Sequence, residues 1–192
     1  MRTRSLLALG SVIPVIFWGT LFVCGYVMGD YNHLTRLVSE LGAMGTRTQY
    51  MFMAGMLACA ALSAVFVIGL HKACRERGIS AFPAWIILSF SISLFGAAIF
   101  PLPLRLHLWA GMPSILLFFS PLAALILWPG DKMPAGSRIW AIVSLAIMLL
   151  GFLAFMPEVL GAWPGLRQRF FHIGWSLWFI GLGRAFLVST KK

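Results

Sequence analysis

The chain has 192 residues, of which 60% are hydrophobic and only 10% carry a charged side chain. A soluble domain typically has about 25% charged residues, so the composition excludes an ordinary soluble protein and indicates an integral membrane protein. The net charge of +10 comes from basic residues at the ends of apolar runs, which favours membrane orientation and lipid head groups over nucleic acid as its explanation.

The first predicted element is an apolar run over about residues 6–28. It is longer than the apolar core of a signal peptide, which has about 7–15 residues, and no small-residue cleavage site closes it. We therefore expect a retained membrane helix, kinked at Pro14 because proline removes a backbone hydrogen bond from the helix interior.

The connection that follows, DYNHLTRLVSELGAMGTRTQ (residues 30–49), is rich in polar side chains. At about 100° per residue, the stretch 33–41 has one apolar face and an adjoining polar face of His33, Arg36 and Glu40. Arg36 and Glu40 are four residues apart and are expected to form an ion pair. The pattern predicts a short amphipathic helix on the outer face between the first two membrane helices.

Five further apolar runs follow, each of about the 20 residues that a helix needs to cross the bilayer core. Because lipid offers no hydrogen-bond partner to the backbone, these runs are expected to be helices. The sequence therefore predicts an all-α membrane protein, a single domain over 1–192 that forms a compact bundle of six transmembrane helices. The predicted spans are about 6–28, 50–70, 81–100, 107–128, 139–156 and 170–188.

The basic residues are distributed unevenly between the two sides of this bundle. Five lie on the side of the first connection: Arg36, Arg47, Arg105, Arg167 and Arg169. The other ten lie on the side of the termini: Arg2, Arg4, Lys72, Arg75, Arg77, Lys132, Arg138, Arg184, Lys191 and Lys192. The positive-inside rule predicts that both termini are cytoplasmic, in a multi-pass protein of the cell inner membrane.

The outer face carries three of the four histidines, His33, His107 and His172, together with five arginines and three acidic residues. Polar groups at membrane depth are costly unless they pair or meet water, so their concentration suggests a shared polar cavity. Two interpretations of the first connection stay open. Either its charges face water, or Ser39, Glu40 and His33 fold back over the mouth of the bundle and meet His107 and His172.

Three segments resemble a family of uncharacterised membrane proteins, domain-of-unknown-function family 998 (DUF998). They are SELGA (residues 39–43), GAAIFPLPLRLHLWA (residues 96–110) and GLRQRFFHIGWSLW (residues 165–178). The family pattern has Ser-acidic-Leu-Gly after the first helix, a histidine that opens helix four, and a Gln-Arg pair that opens the last helix. His172 does not match a position of that pattern. The resemblance implies a compact bundle of about six spans and no established reaction.

Three kinds of function remain open. A binding or transport protein would use Arg36, Arg105, Arg167 and Arg169, with His33 and His172, to bind an anionic small molecule or lipid head group, because guanidinium forks suit phosphate and carboxylate. An interfacial enzyme acting on a lipid-linked substrate would use Glu40 and His107 as an acid/base pair, with Ser39 as a candidate nucleophile. A structural subunit of a membrane complex, or a homo-oligomer, needs no ligand chemistry.

Neither a metal nor another cofactor is predicted. The outer histidines and Glu40 are residue types that bind zinc, but their spacing matches no zinc motif. Cys24, Cys59 and Cys74 show no metal or redox spacing and are expected to be reduced and packed as small apolar residues. The expected partners are membrane lipids, an anionic small-molecule or lipid ligand, and a second membrane protein or copy of the chain, but no nucleic acid.

Overall fold

A computed structural model describes residues 3–156 and 158–189 of the chain. Seven α-helices account for most of them: α1 (Thr3–Met28), α2 (Gln49–Glu76), α3 (Phe82–Ile99), α4 (Leu106–Gly111), α5 (Phe119–Leu127), α6 (Ser137–Leu150) and α7 (Pro164–Ser189). Three 3-10 helices complete the fold: Val38–Gly42, Met112–Phe118 and Gly151–Phe155.

Six stretches are long and apolar enough to cross a membrane, which confirms the predicted all-α, six-span architecture. They are Thr3–Met28, Gln49–Glu76, Phe82–Ile99, Leu106–Leu127, Ser137–Phe155 and Pro164–Val188. The second and sixth spans extend about six residues beyond their predicted polar ends. Prediction followed apolar length, whereas a helix continues into polar residues at the membrane surface, and proline is well tolerated at a helix start such as Pro164.

The fourth span is a composite of α4, a 3-10 helix and α5. Pro113 stands near the start of the 3-10 segment and lacks the N–H that an α-helix needs there. The proline thus changes the helix type over about two turns. By contrast, α1 runs on without interruption through Pro14.

The predicted amphipathic helix over 33–41 does not form as one helix: residues 33–35 form a turn, and a 3-10 helix covers only Val38–Gly42. Several of its backbone N–H groups donate to side chains instead. The Leu34 N–H donates to Asn32 Oδ1, and the Leu37 N–H donates to Glu40 Oε1, each at 2.8 Å. Such side-chain acceptors compete with the helical hydrogen bonds of the backbone.

Helix α7 lies at the centre of the bundle. In its membrane-spanning window 61% of the residues are buried, against 22–39% in the other five spans. Trp178 Nε1 donates to Ser120 Oγ of α5, and that hydroxyl donates to the Pro83 carbonyl of α3, both at 2.8 Å. On the other side α1 packs against α7 so closely that a Cβ on Gly183 would lie 2.6 Å from the Leu7 carbonyl oxygen.

The two ends of the bundle differ. The connections 29–48 and 100–105 lie together with the start of α7 at what we call the polar end. Backbone hydrogen bonds join them, from Met44 N–H to Leu102 O at 2.8 Å and from Leu166 N–H to Leu34 O at 2.9 Å. Thr3 and the end of α7 lie at the opposite end, because the number of spans is even. Arg2, Lys191 and Lys192 lie outside the described residues.

Candidate functional site

Arg169 fastens the first connection to α7. Its side chain is buried, and its Nη1 donates to the Gly165 and Arg36 carbonyls at 2.9 and 3.1 Å. Its Nη2 donates to the Tyr31 hydroxyl at 2.9 Å and to His33 Nδ1 at 3.1 Å. A guanidinium has no acceptor, so His33 Nδ1 must carry the lone pair in this contact. Arg169 is therefore a structural clamp.

The environment of His33 and Tyr31 follows from this clamp. Burial lowers the pKa of His33, and the charge of Arg169 lowers it further. Burial also raises the pKa of Tyr31, an effect that the hydrogen bond from Arg169 opposes. Two glycines make the close packing sterically feasible: a Cβ on Gly25 would lie 2.7 Å from His33 Nε2, and a Cβ on Gly165 would lie 2.7 Å from the His33 carbonyl oxygen.

Glu40 belongs to the connection itself. Its Oε2 accepts from Arg36 Nε at 2.8 Å, which confirms the predicted pair, although the backbone between them is not an α-helix. Arg36 also approaches Asp30 at 3.5 Å. The hydrogen bond with Glu40 raises the pKa of Arg36. The Glu40 carboxylate thus contacts Arg36 and the Leu37 N–H, and among the described residues no hydrogen bond joins it to His107.

The remaining predicted arginines are placed differently from one another. Arg167 is buried, and its Nη1 donates to the carbonyls of Leu153, Met156 and Val159 at 3.2, 2.8 and 3.4 Å. It therefore ties α7 to the end of the 3-10 helix Gly151–Phe155 and to the connection that follows it. Arg105 is exposed at the start of α4.

The polar end encloses a cavity of about 160 Å³, which we call the central cavity. Its polar lining consists of Ser39, Ser93, His107, Ser114, Gln168 and His172. The rest of its wall is apolar, and four of its nine members are aromatic: Phe17, Phe52, Phe90 and Phe171. A second cavity of about 130 Å³, nearer the connections, shares Ser39 and His107 with it.

The two histidines that line the central cavity have opposite tautomers. His107 Nδ1 lies 2.8 Å from the Phe100 carbonyl, which only accepts, so in the neutral ring the proton is on Nδ1 and Nε2 has a lone pair. Trp175 Nε1, which only donates, lies 3.1 Å from His172 Nδ1, so the proton of His172 is on Nε2. Across the described residues, this buried Nε2–H has no hydrogen-bond partner.

The other polar groups of the central cavity are also partly unused. Gln168 Oε1 accepts from the Val38 N–H at 2.8 Å, which leaves the amide NH₂ as a donor. Ser93 and Ser114 both donate to the Gly111 carbonyl, at 2.8 and 2.7 Å, and keep their oxygen lone pairs. The Ser39 hydroxyl makes no hydrogen bond within residues 3–156 and 158–189. The cavity therefore offers both donors and acceptors to a bound molecule.

The structure brings only part of the predicted set to one place. Ser39, His107 and His172 line the central cavity, whereas the partners of His33 and the arginines are groups of the protein itself. The sequence analysis predicted no binding or catalytic role for Gln168. Its spacing of four residues from His172 places both side chains on one face of α7. This spacing is the feature of the sequence that indicates Gln168 as a site residue.

Within the described part of the chain, no group of three or more His, Cys, Asp or Glu side chains is placed to hold a metal ion. Cys24, Cys59 and Cys74 are free and buried. Cys59 Sγ lies 3.8 Å from the Ile13 carbonyl oxygen and packs between α1 and α2. The thiols therefore pack as small buried groups, as the sequence predicts.

A family model, described as "Protein of unknown function (DUF998)", matches residues 11–185. The match covers most of the chain, so the chain belongs to this family. No curated protein and no solved structure matches it.

Proposed function

We propose that this member of the DUF998 family is a membrane protein that binds an anionic or lipid head group in the central cavity. The observation that supports it is the buried Nε2–H of His172, for which no acceptor exists among residues 3–156 and 158–189. Leaving a buried donor unsatisfied costs about 1–3 kcal/mol. A ligand oxygen at this position would remove that cost.

The charge around the first turns of α7 favours a negative ligand. Arg167 and Arg169 are both buried, and their hydrogen-bond partners are carbonyls, a phenol and an imidazole rather than carboxylates. In the described residues both ion pairs involve Arg36. The start of a long helix adds a further partial positive charge. The arginines therefore attract the ligand through their field, while His172 and Gln168 make the contacts.

The form of the cavity favours an amphiphile over a free inorganic ion. Ser39, Gln168 and His172 supply hydrogen bonds, but most of the lining is aromatic or aliphatic. Ligand sites typically combine an apolar wall with a few placed polar groups that fix orientation. A phosphate or carboxylate joined to an apolar portion fits this combination.

The experiment is a titration of detergent-purified protein with a lysophosphatidic acid and, separately, with palmitate, which offer phosphate and carboxylate heads. His172→Phe removes the Nε2–H and is expected to weaken binding about tenfold, the equivalent of about 1.4 kcal/mol. His172→Gln keeps an N–H donor near that position and is expected to retain most of the affinity.

The matched control is Arg105→Gln, which removes a charge from the polar end without altering the wall of the cavity. It is expected to leave the affinity within about twofold of wild type, since an exposed charge contributes little. Thermal unfolding of each variant shows that it is folded. Equal affinities for wild type and His172→Phe with both head groups would refute the proposal.

A further inference from the structure

The central cavity has a neighbour that leads out of the bundle, which we call the side cavity. It has a volume of about 170 Å³ and lies between α7 and the two 3-10 helices Met112–Phe118 and Gly151–Phe155. It shares four lining residues with the central cavity: Ser114, Gln168, Phe171 and His172. The two cavities are therefore adjacent chambers around the same pair of polar side chains.

The wall of the side cavity changes from buried to exposed along its length. Phe118 is 8% exposed, Phe152 is 37% exposed and Phe155 is 69% exposed. Phe118 and Phe152 stack with their ring centroids 4.6 Å apart and form one wall. A Cβ on Gly151 would lie 2.7 Å from Phe171 Cβ, so this glycine lets the 3-10 helix approach α7. The exposure of Phe155 places this end of the chamber at the outer surface of the bundle.

Polarity also changes along this path. Gln168, His172 and Ser114 stand at the junction with the central cavity, and the residues beyond them are apolar: Ile115, Phe118, Gly151, Phe152, Ala154 and Phe155. A channel that is polar at one end and apolar at its exit matches a molecule with a polar head and a hydrocarbon chain. An α-helix, about 10 Å across with its side chains, does not fit into a chamber of this volume.

We infer that the ligand of the central cavity is a single-chain or diacyl lipid whose acyl chain leaves the bundle through the side cavity. This inference rests on the proposed function and adds the class of ligand and the route of its chain. The chain reaches the surrounding bilayer between the 3-10 helices Met112–Phe118 and Gly151–Phe155, where neither segment has the width of a regular α-helix. The head stays at Gln168 and His172.

The experiment compares probes that share a head group and differ in the chain. Wild type is expected to bind 16-carbon lysophosphatidic acid at least tenfold more tightly than glycerol 3-phosphate, because burial of each methylene favours the bound state. Palmitate against acetate gives the same comparison for a carboxylate head. Each comparison is repeated with His172→Phe. The head group whose affinity falls more in this variant, phosphate or carboxylate, is the one that the central cavity binds.

Ala154→Trp fills the side cavity and is expected to remove most of the chain-dependent affinity, while binding of the chain-free head group stays unchanged. Ala61→Trp is the matched control, because Ala61 is also exposed on an apolar surface, in the groove between α2 and α3. It is expected to leave both affinities unchanged. Persistence of the full chain advantage in folded Ala154→Trp would overturn the inference.

A second measurement uses wild-type protein and does not depend on folding of a variant. A lysophosphatidic acid with a diazirine in its chain is expected to crosslink to peptides 112–118 and 151–155. Crosslinks confined to the groove between α2 and α3 would overturn the inference. If long-chain and chain-free probes bind equally and depend on His172, only the inference fails; if no probe depends on His172, the proposed function fails as well.

Discussion

His33 shows how one buried charge determines the protonation of its neighbour. Its Nδ1 accepts from Arg169 Nη2 at 3.1 Å, so the contact exists only while the imidazole is neutral. Protonation would place two cations side by side at the junction of the first connection and α7. The native packing therefore stabilises neutral His33, which agrees with the lowered pKa that burial and Arg169 produce.

A dependence of stability on pH follows from this arrangement. In the unfolded chain the pKa of histidine is about 6.5, and in the folded protein that of His33 is lower. Between the two pKa values the unfolded state binds more protons, so the free energy of unfolding rises with pH and falls as the pH drops below about 6.5. The melting temperature of wild type is expected to decrease from pH 7.5 to pH 5.

His33→Asn tests the assignment, because the Asn carbonyl oxygen can accept from Arg169 and does not titrate. Its melting temperature, followed by tryptophan fluorescence, is expected to depend less on pH than that of wild type. His71→Asn, at the opposite end of the bundle, serves as the control and is expected to keep the wild-type dependence. The assignment fails if His33→Asn has the full slope of wild type.

At the scale of elements, departures from regular helix create the site. The fourth span changes to a 3-10 helix at Met112–Phe118, where the Gly111 carbonyl accepts from Ser93 and Ser114. The first connection forms a 3-10 helix at Val38–Gly42 instead of the predicted longer helix. Both segments line the central cavity, so a regular α-helix in either place would alter its wall.

Sequence reasoning predicted the six spans because apolar length alone decides whether a helix crosses a bilayer. It also placed Ser39, His107 and His172 at one end, where the structure has them line one cavity. It did not predict that Arg167 and Arg169 bond to carbonyls remote in sequence, because no periodic pattern encodes such contacts. The helix over 33–41 failed for a similar reason: the Val38 N–H donates to Gln168, 130 residues away.

Gln168 joins the first connection to the wall of the central cavity, and mutation can change its oxygen and its NH₂ group separately. Gln168→Glu keeps an oxygen that accepts from the Val38 N–H but replaces the amide NH₂ with a carboxylate oxygen in the central cavity. We expect a folded protein with nearly wild-type melting temperature and at least tenfold weaker binding of lysophosphatidic acid, because the carboxylate repels an anionic head. Binding is measured by the titration described for His172.

Gln168→Leu is the comparison, since it removes both the acceptor for Val38 and the donor to the cavity. It is expected to lower the melting temperature as well as the affinity. If Gln168→Glu instead binds the anionic lipid as well as wild type does, the amide does not contact the head group.

At the scale of the whole molecule, the distribution of charge supports an orientation. Seven of the twelve basic residues that the structure describes lie at the end of the bundle opposite the polar end. We therefore propose that the termini are cytoplasmic in the inner membrane and that the polar end faces outward. The central cavity would then receive its ligand from the outer leaflet.

Two variants, each with one added cysteine, test this orientation. The three native cysteines are buried and are expected not to react. A membrane-impermeant maleimide is expected to label Arg105→Cys, at the polar end, in cells whose inner membrane is intact. Lys132→Cys is equally exposed at the opposite end and is expected to react only after that membrane is permeabilised. Labelling with the opposite preference would reverse the proposed orientation.

The central position of α7 has a consequence for biosynthesis. This helix is synthesised after the other five spans, yet Trp175, Trp178 and Phe179 fill the middle of the core. Arg169, which clamps the first connection, is synthesised more than 130 residues after its partners Tyr31 and His33. Until α7 is synthesised, the five earlier spans lack the side chains that fill the centre of the bundle. A nascent chain that stops before α7 therefore lacks the central core side chains and the part of the cavity wall that Gln168 and His172 supply.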